Sequence, residues 1–245
     1  MSENADHKPA PTIGIVMPVL NEAAGIEQCL AELTQRQVFQ EVIVVDGGSQ
    51  DPTLDIVREF TSRHDMRNGP VFRLLEAPIG RASQMNAGAC EASSDILLFL
   101  HADTTLPSEA AERVRWAVTR GSLWGRFDVR LDDRRVLFRI VERLMNWRSA
   151  LTGIATGDQA IFVRRDFFER LGGYARVRLM EDIELSRRLK VLQRPARVRD
   201  TVTTSTRRWR KNGVVRTVLL MWWLRLLYWL GASPDWLARF YRGRK

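Results

Sequence analysis

At 245 residues, 45% of them apolar, the chain is one large domain or one domain with an appendage, and its apolar share is ordinary for a globular core. Cys29 and Cys90 sit in helical patterns without metal-ligand spacing and read as small buried residues of a reducing compartment, while polar Met1–Pro11 has no apolar signal core, argues against secretion and reads as a short disordered lead. The net charge of +9 lies at one end: Thr204–Lys245 holds ten Lys/Arg against one Asp, and five of the eight tryptophans, so the other 203 residues, with 28 basic and 28 acidic side chains, are neutral.

Thr12–Met17 is a β-rich run that predicts a first buried strand, followed by Pro18-Val19-Leu20-Asn21-Glu22. Asn21 is placed to cap a helix whose apolar face is Ile26, Cys29, Leu30 and Leu33. Glu41–Val45 reads as a second strand ending in Asp46-Gly47-Gly48-Ser49. Asp51 caps the next helix, with Pro52 at its first position. Val71–Leu75 is a third strand, Arg81–Ala92 a helix of small residues, and Asp95–Leu100 an apolar run typical of a fully buried strand. This alternation predicts right-handed crossovers and a mostly parallel sheet. After Pro107 the pattern becomes mixed. Helices are expected over Ser108–Arg120, Arg134–Ser149, Arg165–Leu171 and Glu181–Leu192, and strands over Phe127–Leu131, Ala160–Val163 and Arg197–Thr203.

The polar residues gather at predicted strand ends, where open α/β sheets bind ligands. Asp46 can accept hydrogen bonds from a base or ribose, and Gly47 and Gly48 allow close approach to the backbone; the plainer alternative is a turn. His101-Ala102-Asp103 closes the Ile96–Leu100 run, and a carboxylate there can hold a divalent cation that holds a diphosphate. Glu181-Asp182 starts a helix, whose amino end favours negative charge.

Pro-x-x-Asn-Glu, Asp-Gly-Gly-Ser, x-x-Asp at a strand end and Glu-Asp at a helix start, in that order, resemble the family-2 glycosyltransferases across Ile13–Trp209. The resemblance implies an α/β fold of GT-A type, with a mostly parallel central sheet flanked by helices. It further implies inverting transfer from a nucleoside-diphosphate sugar to a hydroxyl or phosphate acceptor. By that likeness Pro18, Asn21, Glu22, Asp46, Gly47, Gly48, Arg81, Asn86, His101 and Asp103 surround the donor. The family's metal motif is Asp-x-Asp; here Asp103 keeps the second position and His101 replaces the first, so a divalent metal, Mn²⁺ or Mg²⁺, rests on Asp103 with or without His101. Asp182 would deprotonate the acceptor, with Glu181 as a second polar contact, Asp158 orienting the acceptor or the donor sugar, and Gln159 with it at the acceptor or diphosphate. Processive members carry Gln-x-x-Arg-Trp; Arg208-Trp209 is kept for the diphosphate and acceptor, but the Gln is missing, against a polymer-extending synthase.

Val214–Leu230 is apolar except at Arg216, Thr217 and Arg225. A bilayer span needs about 20 apolar residues, and a central arginine costs roughly 2.5–3.5 kcal/mol on an insertion scale. Aromatic and basic residues together predict helices lying on an anionic leaflet, with Trp236, Leu237, Phe240 and Tyr241 on one face of the last. Residues 12–209 would then be the catalytic domain and 210–245 a helical tail, peripheral at the inner face of the membrane in the cytoplasm, with a lipid or lipid-linked acceptor. The alternative is a tail packed on the domain or on a homodimer partner. Clustered tryptophans fit lipid better than nucleic acid. Two other functions compete: a nucleotidyltransferase, which would want a Gly-rich phosphate loop, and a non-catalytic membrane-bound nucleotide-sugar binder.

Overall fold

The computed structural model describes residues 9–64, 69–207, 210 and 213–242. Its first half is β1 (Ile13–Val19), α1 (Ile26–Gln35), β2 (Glu41–Asp46), α2 (Thr53–Arg63), β3 (Val71–Glu76), α3 (Arg81–Glu91) and β4 (Ile96–Phe99). The side chains of β1 alternate between two apolar layers. Ile13, Ile15, Met17 and Val19 pack with Ile26 and Leu30 of α1 and Val57 of α2. Val16 faces the other layer, with Ala82, Met85 and Ala89 of α3. The small residues of α3 let it sit close to the sheet: a Cβ at Gly88 would lie 2.5 Å from Val16 Cγ1. The opposite surface of α3 faces solvent, which is why Cys90 is exposed rather than buried; Cys29 of α1 is partly buried, and burial pushes its thiol up to about 12.

The second half is β5 (Thr104–Thr105), α4 (Ala110–Thr119), β6 (Trp124–Leu131), α5 (Val136–Thr152), a 3₁₀ turn at Gly157–Gln159, β7 (Phe162–Arg164), α6 (Arg165–Arg170), α7 (Glu181–Leu192) and β8 (Ala196–Thr204). The sheet runs β3–β2–β1–β4–β7–β6–β8–β5. Strands β3, β2, β1 and β4 are parallel, as expected. Beyond β4 the sheet is mixed: β7 is antiparallel to β4 and β6, β5 is antiparallel to β8, and β6 and β8 are parallel. β1 pairs with β2 on one side and β4 on the other, so the strand order switches there and opens a crevice beyond their carboxyl ends.

The helix expected to be capped by Asn21 starts later, at Ile26, with Gly25 before it. Asn21 has a left-handed backbone (φ 56°) and links two loops instead. Asp51 does serve the start of α2, accepting from the Thr53 N–H at 3.1 Å.

The tail forms α8 (Val214–Trp229) and α9 (Pro234–Arg242), and both pack on the domain. Leu224 and Leu237 are fully buried against Met180, just ahead of α7. The outward surface of α8 is apolar as well, with Leu219 61% and Trp229 76% exposed. Among the described residues, no helix is long and apolar enough to cross a membrane.

Candidate active site

The floor of the crevice is built from the loops after β1 and β2. The Asn21 N–H donates to Ser49 Oγ at 2.9 Å, and Asn21 Oδ1 accepts from the Gln50 N–H at 2.8 Å. Asp46, only 2% exposed, accepts from the N–H groups of Gly48 and Ser49 at 2.7 and 2.9 Å and from the Ser49 hydroxyl. Its carboxylate thus shapes the turn that presents Gly47 and Gly48, the latter at φ 89°. From α3, Gln84 Nε2 donates to the carbonyls of Val19 and Val45, both at 2.8 Å, and ties the strand ends together. Pro18 sits in β1 opposite Val45. Glu22 pairs with Arg207 at 3.0 Å, drawing the segment after β8 over this loop.

The acidic residues converge across the crevice. His101, buried after β4, places Nδ1 3.5 Å from Asp158 Oδ1. Its ring lies so close to Gly157 that a Cβ there would stand 2.6 Å from Cε1. The Gly157 N–H donates to Asp182 Oδ2 at 2.9 Å, and Asp182 Oδ1 accepts from the Ile183 N–H at 2.7 Å. Arg81, at the start of α3, brings Nη1 to 4.0 Å from Glu181 Oε1. Asp103 is half-buried beside His101, and its carbonyl accepts from the Ser205 N–H at 3.0 Å. Segments remote in sequence (81, 101, 157–158 and 181–182) therefore share one cleft.

Met180 sets the direction in which α7 begins. It is left-handed (φ 67°) and buried beneath Leu224 and Leu237. Such a backbone costs roughly 1–3 kcal/mol in a residue with a side chain and persists where packing holds it. The tail thereby supports the two carboxylates. Burial, then the neighbouring Asp182 charge, raises the Glu181 carboxyl above its ordinary range, against the pull of Arg81. Arg81 answers in kind: burial would lower its guanidinium, but Glu181, Asp158 and Asp182 hold it above the usual value.

This has a consequence for stability. A buried acid with a raised native pKa binds its proton more tightly folded than unfolded. The contribution of Glu181 is therefore fully present below about 4.5 and is lost as pH rises toward the raised native value. Urea unfolding of Glu181→Gln against the natural chain between pH 4 and 7 will show the variant gaining relative stability as pH rises; a constant difference would contradict the raised value.

Two expected donor or acceptor residues are engaged elsewhere. The Asn86 amide meets the Tyr174 backbone at both ends, each at 2.8 Å. Gln159 is fully buried, accepting from the Thr156 N–H at 3.2 Å and donating to Asn146 at 3.5 Å, so it holds the 157–159 turn rather than facing the cleft. Arg208 and Trp209 lie outside the described residues. Sequence reasoning missed Met180 and Arg148, neither of which carries a local signal, and singled out Arg225 only as a cost in an apolar helix.

The family model for glycosyl transferase family 2 matches residues 14–172. The chain is 29% identical over 198 residues to the probable glycosyltransferase YdaM of Bacillus subtilis, covering 74% of this chain and 47% of that protein. It is 31% identical over 198 residues to the PGL/p-HBAD biosynthesis glycosyltransferase of Mycobacterium bovis, covering 77% of this chain and 73% of the relative. Among solved structures it resembles the mannosyltransferase PcManGT of Pyrobaculum calidifontis in complex with GDP-Man and Mn²⁺, with TM-score 0.62, 23% identity and coverage of 81% of this chain and 58% of that one. It also resembles S. aureus TarS 1-349 in complex with UDP, with TM-score 0.62, 17% identity and coverage of 79% and 60%. Against YdaM the chain thus spans about half of its relative's length. The fold is that of the GT-A glycosyltransferases, and with the family model matched from β1 to the end of α6, the chain belongs to glycosyl transferase family 2.

Proposed function

We propose that the chain transfers a sugar from a nucleoside-diphosphate sugar to a lipid or lipid-linked acceptor, with inversion at the anomeric carbon. The observation that carries this reading is the convergence of Arg81, His101, Asp158 and the Glu181-Asp182 pair on one cleft at the strand switch point. The nucleotide lies over the Asn21 and Asp46 loops. Asp182, fixed by the Gly157 N–H, removes the proton of the acceptor hydroxyl as its oxygen attacks the anomeric carbon. The bond from that carbon to the diphosphate breaks, and Arg81 faces the charge that develops on the leaving group.

The donor set suits a divalent cation completed by the substrate. Among the described residues no three ligating side chains cluster. A single strand-end carboxylate, Asp103, matches a Mg²⁺ or Mn²⁺ ion that takes its other ligands from diphosphate and water. We assign the metal to Asp103 rather than to His101, whose ring is held between Asp158 and Gly157. When bound, the cation would neutralise the diphosphate.

The exposed apolar surface of α8 supports attachment to a membrane surface, as do Val136, Ile140, Trp147 and Leu151 on the outer side of α5. Binding of ADP, CDP, GDP, TDP and UDP in Mn²⁺, Mg²⁺ or chelator tests the donor site. One nucleotide will bind in metal, and Asp103→Ala will weaken it by about tenfold or more, as expected for loss of a charged ligand. Failure of every nucleotide to bind would overturn the reading.

A further inference from the structure

A cavity of about 390 Å³ lies between α5 and α8, next to the candidate active site. Its walls are apolar: Val141, Leu144 and Met145 from α5, and Val218, Met221 and Trp222 from α8. Three charged residues, Arg148, Arg225 and Asp158, also line it. Asp158 is the residue that faces His101, so this polar end is also an edge of the acidic cleft. The size is at the low end of small-molecule sites, roughly 300–1,000 Å³, and suits one hydrocarbon chain.

The two arginines are unusually placed. Among the described residues, Nε and Nη2 of Arg148 and Nε of Arg225 are buried without a hydrogen-bond partner. Buried unpaired donors of this kind are costly and call for an acceptor. Burial, then repulsion by Arg225, pushes the Arg148 guanidinium down to about 10, and burial also lowers Arg225. Asp158 in the lining and Asp182 behind it offset the two charges, yet leave these buried guanidinium donors without a hydrogen bond, so the polar end calls for an acceptor with several oxygens. Phosphate matches guanidinium donors bidentately. On either side of the cavity, Leu144 and Trp147 of α5 and Trp222 and Leu226 of α8 are exposed, which extends the apolar walls toward the surface.

We infer that this slot is the acceptor site, and that it takes a single-chain lipid whose headgroup carries a phosphate and, beyond it, the hydroxyl that gives its proton to Asp182 and attacks the sugar, with the chain between α5 and α8 and the phosphate on Arg148 and Arg225. This rests on the reading of the cleft as a sugar-transfer site. It places the headgroup of the lipid beside Asp158 and within reach of the carboxylates of α7. It also gives the tail a second role, since α8 supplies half of the acceptor's binding surface.

Calorimetric titration of the full chain with decyl phosphate, decanol and inorganic phosphate tests the inference, with UDP and GDP in Mn²⁺ titrated into the same samples. Decyl phosphate will bind at least about tenfold tighter than decanol, and tighter than inorganic phosphate. Arg225→Gln and Arg148→Gln will each remove most of that preference and leave decanol unchanged. Met221→Trp, which fills the slot, will weaken both decyl compounds. All three variants will bind nucleotide as the natural chain does, which also reports that they fold. Equal binding of decyl phosphate and decanol, or of decyl phosphate and inorganic phosphate, would overturn the slot, as would a preference that survives both arginine changes. Nucleotide binding without this preference removes the slot and leaves the donor reading standing; the reverse pattern removes the donor reading and leaves the slot.

Discussion

Asp182→Asn will lower sugar transfer about 10³-fold while leaving donor binding unchanged, because a general base contributes 10²–10⁴ to rate and nothing to the ground-state grip on a nucleotide. The amide is nearly the same shape. It can still accept from the Gly157 N–H, so the tie between α7 and the 157–159 turn is kept. What it cannot do is take a proton from the acceptor. The effect should therefore appear in kcat, with the KM for donor nearly constant. Glu181→Gln is the matched control: Glu181 is more deeply buried and faces Arg81, so its loss should be smaller. Steady-state kinetics on both variants separates the roles, and a larger loss for Glu181→Gln would exchange them.

The second large effect is on stability. Asp128→Ala will destabilise the chain by about 3–5 kcal/mol, the cost of stranding a buried charge. Arg126 is 1% exposed on β6 and pairs with Asp128, which also accepts from Arg197 of β8 at 2.7 Å. One carboxylate thus serves two guanidiniums at the bulge where the β6–β8 register shifts. Burial lowers the Arg126 guanidinium, and Asp128 opposes that fall. Without Asp128, Arg126 keeps, among the described residues, carbonyl acceptors at 3.2 Å from Phe127 and 3.4 Å from Asn146. Asn146 also touches Gln159, so the 157–159 turn of the active site should loosen with β6. Urea unfolding measures the loss; a change under about 1 kcal/mol would mean that Arg126 finds another partner or water.

The parallel half of the fold was legible because its signals are local. Each strand from β1 to β4 is a short, largely apolar run, and each helix between them carries an apolar stripe. The second half was harder. β6 starts at Trp124 rather than Phe127 because Gly125 and Arg126 interrupt the apolar run, and burial of Arg126 makes sense only with Asp128 and Arg197 in place. β5 has only two residues, too few to leave a pattern. At the site, motif order pointed to Asp46, Asp103 and Asp182, but their arrangement depends on contacts between distant segments. The Gly157–Asp182 hydrogen bond and the left-handed Met180 are such features. Asn86 and Gln159 have the right chemistry for a ligand and are held by backbone or by neighbours instead, which no spacing reveals. The tail is the sharpest case. Its mixture of tryptophans and arginines suggested a surface helix, yet α8 also packs inward, and Arg225, the residue least suited to a lipid-facing helix, turns toward the acidic cleft.

The central claim is that the cleft transfers sugar from a nucleotide donor. Its most direct test is release of nucleoside diphosphate from UDP- and GDP-linked sugars by the full chain in Mn²⁺, with and without a bacterial lipid extract, beside Asp182→Asn. The account predicts release that the lipid extract accelerates and that Asp182→Asn lowers by about 10³-fold. Consumption of donor at the same rate by the natural chain and the variant, or consumption of none of the donors with any acceptor, would contradict it.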